Sequence, residues 1–253
     1  MGNRLIGLMQ ERALRRWSKA ANDAAHLPLP ELRERRLQAR ALRKQIDRLI
    51  YVADNRLGLP SVGSTSFPRP HGTDWSWRPS IWRDALPTPG LSPVYTDTRI
   101  DTETAVFHDC PRSEISLRQL RNLGKQDLAP FGLRTEIFGF DGSFLSLAID
   151  LPKAAHAGLN PSHLLRAELM IETEKPVRVT TRLNLQHGPN AEQICCELPA
   201  DGTDTTVTFD LAFGDLNTNR ICGLWFDLIF DCPVMNQITI RDLTFTRHVR
   251  AEI

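Results

Sequence analysis

From His163 to Thr246 apolar and polar positions alternate with a period of two, one segment after another. Leu165, Ala167, Leu169 and Ile171 are followed by Val177, Val179, Thr181, Leu183 and Leu185, then Val207, Phe209 and Leu211, then Ile238 and Ile240. That period turns one face of each segment to a core and the other to water, the signature of half-buried strands packed sheet on sheet. It predicts strands over 164–174, 177–186, 192–198, 204–211, 221–230 and 236–247. Upstream, 104–108, 135–140 and 144–149 read as strands, and 114–123 as a polar stretch holding a short helix. Asp141-Gly142-Ser143 separates two of these strands as a hairpin turn, with Gly142 expected to supply a positive φ. Glu174-Lys175-Pro176 and Asp201-Gly202 mark further turns. Eight or nine antiparallel strands make the expected fold class mainly β: an antiparallel β-sandwich of the jelly-roll kind.

Before position 58 the period is helical. Leu5, Ile6, Met9, Ala13 and Trp17 fall on one stripe of a helix over 3–20, with Arg12, Arg15, Arg16 and Lys19 opposite or at its borders. His26-Leu27-Pro28-Leu29-Pro30 interrupts it, and Pro30 suits the first turn of a second helix that ends near Leu57, before Gly58 and Pro60. Leu32, Ala39, Ile46 and Ala53 recur every seven residues, with Leu42 and Leu49 offset between them. Such a seam fits a helical hairpin or a coiled-coil dimer; Arg35 and Arg56 at seam positions favour the hairpin. The expected organisation is a basic amphipathic helical arm over 1–57, a Pro/Gly/Trp-rich linker over 58–93 and a β-sandwich over 94–253.

Charge divides the chain in the same place. Residues 1–58 carry 13 Lys and Arg against 6 Asp and Glu, leaving 18 against 24 for the remainder, so the arm is about +7 and the rest about −6. An arm of this kind can dock on its own protein, on a partner or a second copy, or on an anionic membrane surface. The first helix has only four or five positive charges, too small a footprint to favour nucleic acid. No run of about 18 apolar residues occurs, and the opening residues do not form a secretory signal, so a cytoplasmic location, peripheral to membrane at most, is expected. Ile6 occupies the place of the Ser or Thr that would accompany lipid attachment at Gly2. The five cysteines, at 110, 195, 196, 222 and 232, show no C-x-x-C spacing, so reduced thiols and no metal or cofactor are expected.

Candidate chemistry is sparse. Trp75, Trp77 and Trp82 crowd into eight residues beside Arg78 and Arg83. Either the rings fold back on the sandwich as a tether, or some remain exposed as a stacking platform for a sugar, with the two arginines donating hydrogen bonds. His108, Asp109 and Cys110 invite a thiol nucleophile, but no Gly-rich turn presents the thiol. Glu136, Asp141, Asp150, Glu168, Glu172, Asp227 and Asp231 could each belong to a glycosidase carboxylate pair, which strand position alone cannot select. His187, in a strand-end loop, reads as a surface histidine. The loop with Asp215, Asn217, Asn219 and Arg220 matches no calcium-loop spacing. Asn236, Arg241 and Asp242 read as hydrogen-bonding groups at the sandwich edge.

Four stretches carry a resemblance: Phe107-His-Asp-Cys-Pro, Asp141-Gly-Ser-Phe-Leu-Ser-Leu-Ala-Ile-Asp-Leu-Pro, Leu183-Asn-Leu-Gln-His-Gly-Pro-Asn and Trp225-Phe-Asp-Leu-Ile-Phe. With the Trp cluster they make the chain resemble, over nearly its whole length, an uncharacterised bacterial family of unknown function, which implies no activity. Ile238-Thr-Ile-Arg-Asp-Leu-Thr-Phe, a final strand after a long apolar one, makes 104–247 resemble jelly-roll modules of the carbohydrate-binding and galactose-binding-like kind. The expected function is a non-enzymatic binding or scaffold module, with a glycan as its ligand and the arm as its attachment. A carbohydrate-active hydrolase or lyase, and an assembly subunit joined through its helices, are the alternatives.

Overall fold

The alternating segments close, in a computed structural model of the chain, into two antiparallel sheets packed face to face. The structure describes residues 2–58, 67–124, 127–199, 204–212 and 221–250. The Asp201-Gly202 turn, the loop with Asp215, Asn217, Asn219 and Arg220, and residues 59–66 of the Pro-rich stretch lie outside them.

The chain divides into two units, 1–53 and 54–253. The first holds α1 (Gly2–Asp23), a 3-10 turn (Ala24–His26) and most of α2 (Leu29–Gly58), whose last five residues fall in the second unit. Pro30 sits in the first turn of α2, where its missing N–H is no loss, and Glu31 complements the helix N-terminus. The expected helical hairpin is not formed among the described residues. Among the described residues the two helices make no extended contact, and Leu14 and Leu49 stand 71% and 68% exposed. Two features disfavour the pairing, the first a seam arginine expected to count only against a coiled-coil dimer. Arg35, at a seam position, stays on its own helix and pairs with Glu31 at 3.6 Å, while Ala13 and Ala20 give α1 little to interdigitate.

The second unit is the sandwich. Its strands are β1 (Thr73–Trp77), β2 (Gly90–Leu91), β3 (Thr98–Arg99), β4 (Thr104–His108), β5 (Ile115–Arg121), β6 (Phe131–Ile137) and β7 (Phe144–Asp150), then β8 (His163–Thr173), β9 (Val179–His187), β10 (Asn190–Glu197), β11 (Asp204–Asp210), β12 (Ile221–Asp231) and β13 (Asn236–Val249). Two single turns of helix, α3 (Ser80–Arg83) and α4 (Lys153–His156), complete it. One sheet runs β11-β8-β13-β6-β5-β2 with β1 also on β13; the other runs β10-β9-β12-β7-β4-β3. From β6 to β13 the chain changes sheet at every connection except β9 to β10, which is the jelly-roll pattern. Between the sheets Phe226 meets Phe245 and Phe209 edge to face, at 5.2 and 6.1 Å, among fully buried Leu165, Leu183 and Leu185.

Three expectations change. Asp141-Gly142-Ser143 is not a hairpin turn, because β6 pairs with β5 and β13 while β7 pairs with β4 and β12. Gly142 has no positive φ; its role is close approach, since a Cβ there would lie 2.8 Å from the Cys110 nitrogen. The polar stretch 114–123 is a strand, not a helix. Ile115 and Leu117 are buried two apart, and Gln119 continues their face by giving its amide hydrogens to the Ile81 and Asp84 carbonyls and accepting from the Leu86 nitrogen. The described part of the 58–93 stretch is no linker: β1, α3 and β2 are built into the sandwich, which therefore begins before position 94.

Candidate functional site

β13 is bulged between Ile240 and Asp242, which leaves backbone groups of the bulge outside the ladder. The Trp-rich segment and Asn122, just after β5, satisfy them. The Trp82 indole Nε1–H donates to the Ile240 carbonyl at 2.9 Å and the Asn122 amide donates to that of Arg241 at 2.8 Å. Arg78 gives two bonds of 2.8 Å to the two oxygens of Asp242, with the Phe67 ring 5.1 Å from its guanidinium. Burial pushes the Asp242 carboxyl above its ordinary range, against the pull of Arg78 in the other direction.

These contacts bury two of the five Trp and Arg residues, Trp82 and Arg78. Trp82 has no accessible surface and Arg78 only 2%, so neither offers a face to a ligand; the apolar burial and buried hydrogen bonds that hold the segment down also consume them. Trp77 stacks on Phe245 at 5.8 Å and Trp75 on Trp77 at 6.4 Å, both half-buried against the core. Arg83 is half-buried and bonds its neighbour Asp84 at 2.9 Å. The tether is what the structure shows for Trp82 and Arg78, while Trp75 and Trp77 keep partial exposure at the sandwich edge.

The other candidates also resolve into structure. His108 Nε2 lies 3.1 Å from the Val94 carbonyl, and the Cys110 thiol donates to the Arg112 carbonyl and an Asp141 oxygen, so imidazole and thiol do not meet. Asp109 caps the β6–β7 crossover through the backbone nitrogens of Ser143 and Phe144, and the Ser143 hydroxyl bond holds its carboxyl below the usual range. His187 is buried, not a surface residue; it ends β9 beside Gly188 at φ +63, with Glu192 at 3.4 Å. Asn236 ties the β8–β9 crossover by two 3.0 Å bonds to the Lys175 backbone. Among the described residues no group of three His, Cys, Asp or Glu could hold a metal ion.

The open surface with chemical character is elsewhere, on the outer face of the six-stranded sheet. There the register sets Ala105 opposite Ala148, Ala148 opposite Asp227, and Asp227 opposite Arg182. One step along, Phe107 faces Ser146; one step the other way, Asp150 faces Trp225. Small side chains on the middle strands keep the floor low, and Phe107, Phe144 and Trp225 rise around it, enclosing a hollow of about 420 Å³. Phe107 is 37% exposed.

Two ion pairs border this groove. Arg99 meets Asp150 at 3.4 Å, both open to solvent. Arg182 grips Asp227 through Nε and Nη2 at 2.9 and 2.8 Å, and the Asn184 amide donates to the same Asp227 oxygen at 2.8 Å. With each arginine matched to a carboxylate, the groove has apolar ring faces and paired polar groups but no net charge of its own. Strand position had already put Asp150 and Asp227 among the candidate carboxylates. Phe107, Phe144, Trp225, Arg99 and Arg182 were missed, although Phe144, Ser146 and Ala148 at the outward positions of one strand are unlike a solvated face. A smaller hollow of about 250 Å³ lies over the other sheet beside Phe67 and Asp242, where Arg78 already occupies the acid.

Comparison with known proteins adds a family and a set of distant likenesses. No curated protein matches the chain. Among solved structures, the enzymatically active domain of bacteriophage CBA120 tailspike protein 4 aligns at 5% identity and a TM-score of 0.42, over 64% of this chain and 22% of its own length. A family 11 carbohydrate-binding module of Clostridium thermocellum, solved with a mixed-linked tetrasaccharide, aligns at 10% identity and 0.40, over 64% of this chain and 97% of its own. A xylan-binding domain from Paenibacillus barcinonensis aligns at 9% and 0.37, over 64% and 94%. In sequence, residues 2–253 match the family of unknown function DUF6478, and the chain belongs to that family.

Proposed function

We propose that the sandwich is a non-catalytic binding module that seats a neutral glycan chain in the groove of the six-stranded sheet, and that the helical unit of residues 1–53 serves as its attachment element. The groove carries this reading. A pyranose has an apolar face of C–H groups and an equator of hydroxyls; Phe107, Phe144 and Trp225 match the first, and the Arg99–Asp150 and Arg182–Asp227 pairs match the second as donors and acceptors. Paired charges favour an uncharged sugar over a uronate or phosphorylated one, because an added anion would compete with a carboxylate already seated on each arginine.

A hydrolase on the same face would need two carboxyl groups disposed across the bond to be cleaved. Asp150 and Asp227 are both engaged by guanidinium groups, an arrangement for binding and orientation. The experiment is affinity electrophoresis of the full chain through gels containing soluble mixed-linked β-glucan, xylan or galactan. Retardation by one of these, lost in Trp225→Ala and kept in Trp75→Ala, is the expected result. Unchanged mobility in every gel overturns the glycan reading, and retardation lost in Trp75→Ala but kept in Trp225→Ala moves the site to the Trp segment.

A further inference from the structure

α2 presents an apolar stripe that nothing in the described structure of its own unit covers. Leu42, Ile46, Leu49 and Ile50 fall on one side of the helix at three- and four-residue spacing, and they stand 40%, 46%, 68% and 50% exposed. Arg43 borders this stripe and Arg40, Lys44 and Arg48 lie on the opposite side of the helix, with Asp47 the one acid between positions 40 and 50. α1 repeats the arrangement more briefly: Met9 is 71% exposed, Trp17 half-buried, and Arg12, Arg15, Arg16 and Lys19 follow one another along the helix.

We infer that the helical unit lies in the plane of an anionic lipid surface, the leucines and isoleucines of α2 entering the acyl boundary while Arg43 at the border of the stripe and the cations of the polar face are drawn by the surface charge. This rests on reading the arm as an attachment element and is independent of what the groove binds. Charge complementarity selects the occupant. A second arm would bring +7 against +7, along a seam interrupted by Arg35 and Arg56 and thinned by Ala39 and Ala53. A nucleic acid would use the cations and leave the exposed apolar stripe without a partner. An anionic bilayer surface uses both at once, since its negative potential attracts the cations of the helix while the apolar face leaves water. No described helix is long and apolar enough to cross a membrane, so the mode is interfacial.

The test is flotation of the full chain with vesicles of phosphatidylcholine alone and with about 30% phosphatidylglycerol. Co-flotation with the anionic vesicles at least about tenfold above the neutral ones, falling when salt is raised to about 0.5 M, is expected. Two variants at exposed helix positions, Leu42→Ser/Ile46→Ser/Leu49→Ser and Arg40→Glu/Lys44→Glu/Arg48→Glu, should each lose it while keeping the parent circular dichroism. Both should keep any polysaccharide retardation of the parent, and Trp225→Ala should float as the parent does, so that failure here and failure of the groove are told apart. Equal flotation on neutral vesicles, flotation unchanged in either variant, or no flotation at all, whether the chain then sediments as a dimer, binds duplex DNA or does neither, each overturns the inference.

Discussion

The guanidinium of Arg78 and the carboxylate of Asp242 join residues 164 positions apart through two bonds of 2.8 Å, with the arginine side chain wholly buried. Both ends are desolvated, so removing one strands the other. Arg78→Met is expected to destabilise the sandwich by about 3 kcal/mol in urea unfolding, within the range for breaking a buried pair. The pH dependence has a defined sign. Burial already raises the Asp242 carboxyl, and without Arg78 burial and the nearby Asp127 charge are opposed only by the backbone hydrogen bond at Leu243, so the folded state takes up a proton more readily than the unfolded one. The variant should recover part of its lost stability as pH falls from 7 toward the ordinary aspartate range. A deficit that stays constant with pH would mean that Asp242 is not left buried and charged.

Trp82→Phe separates the indole hydrogen bond from the ring's packing. Phenylalanine fills most of the same volume but leaves the Ile240 carbonyl at the β13 bulge without its donor, at an expected cost of about 1–3 kcal/mol. Trp82→Ala adds a cavity and should cost about 3–5 kcal/mol. A near-zero loss for Trp82→Phe beside a large one for Trp82→Ala, read from denaturant midpoints at unchanged slope, would show that packing alone holds the segment.

The strands that could be read in advance are those whose core face is wholly apolar, such as Leu165, Ala167, Leu169 and Ile171 of β8 or Val207 and Phe209 of β11. β5 escaped because one of its core-facing positions is Gln119, whose polar groups are satisfied by segments more than thirty residues away. Composition conveyed that the Trp cluster is too apolar to hang in water, but not that the β13 bulge is its anchor, which depends on a register irregularity with no local sequence sign. The groove was illegible for the same reason. Ala105, Ala148, Asp227 and Arg182 become neighbours through the pairing of four strands, and no stretch of chain contains them together.

Asp74 ties β1 to the sandwich by accepting from Arg247 Nε and Nη2, with His163 Nε2 3.4 Å away. The Arg247 hydrogen bond holds its carboxyl below the ordinary value of 3.8, with help from the charges of Arg247 and His163 and against desolvation. A depressed folded pKa contributes stability in full above the unfolded value and loses it as pH falls through the folded one. The loss should therefore begin near pH 4 and continue downward. Because the side chain is 39% exposed, the contribution is about 1 kcal/mol or less. Asp74→Asn should be less stable than the parent at pH 7 and converge on it by pH 2–3, measured by thermal unfolding across that window; parallel curves would deny Asp74 that role.

The groove makes a prediction that distinguishes a binding surface from a structural one. Ala148 lies on its floor with an outward-facing side chain, opposite Ala105 on one side and Asp227 on the other. A larger residue there fills space that only a ligand would use, so Ala148→Leu should change stability by less than about 1 kcal/mol while abolishing retention on any polysaccharide the parent binds. Trp225→Ala acts from the wall. It removes a half-buried ring whose loss the fold tolerates, and it should weaken binding by roughly tenfold or more, as for an aromatic anchor at a recognition site. Calorimetric titration of parent and both variants measures this directly. If Ala148→Leu binds as tightly as the parent, the sugar does not rest on this floor, whatever Trp225 contributes.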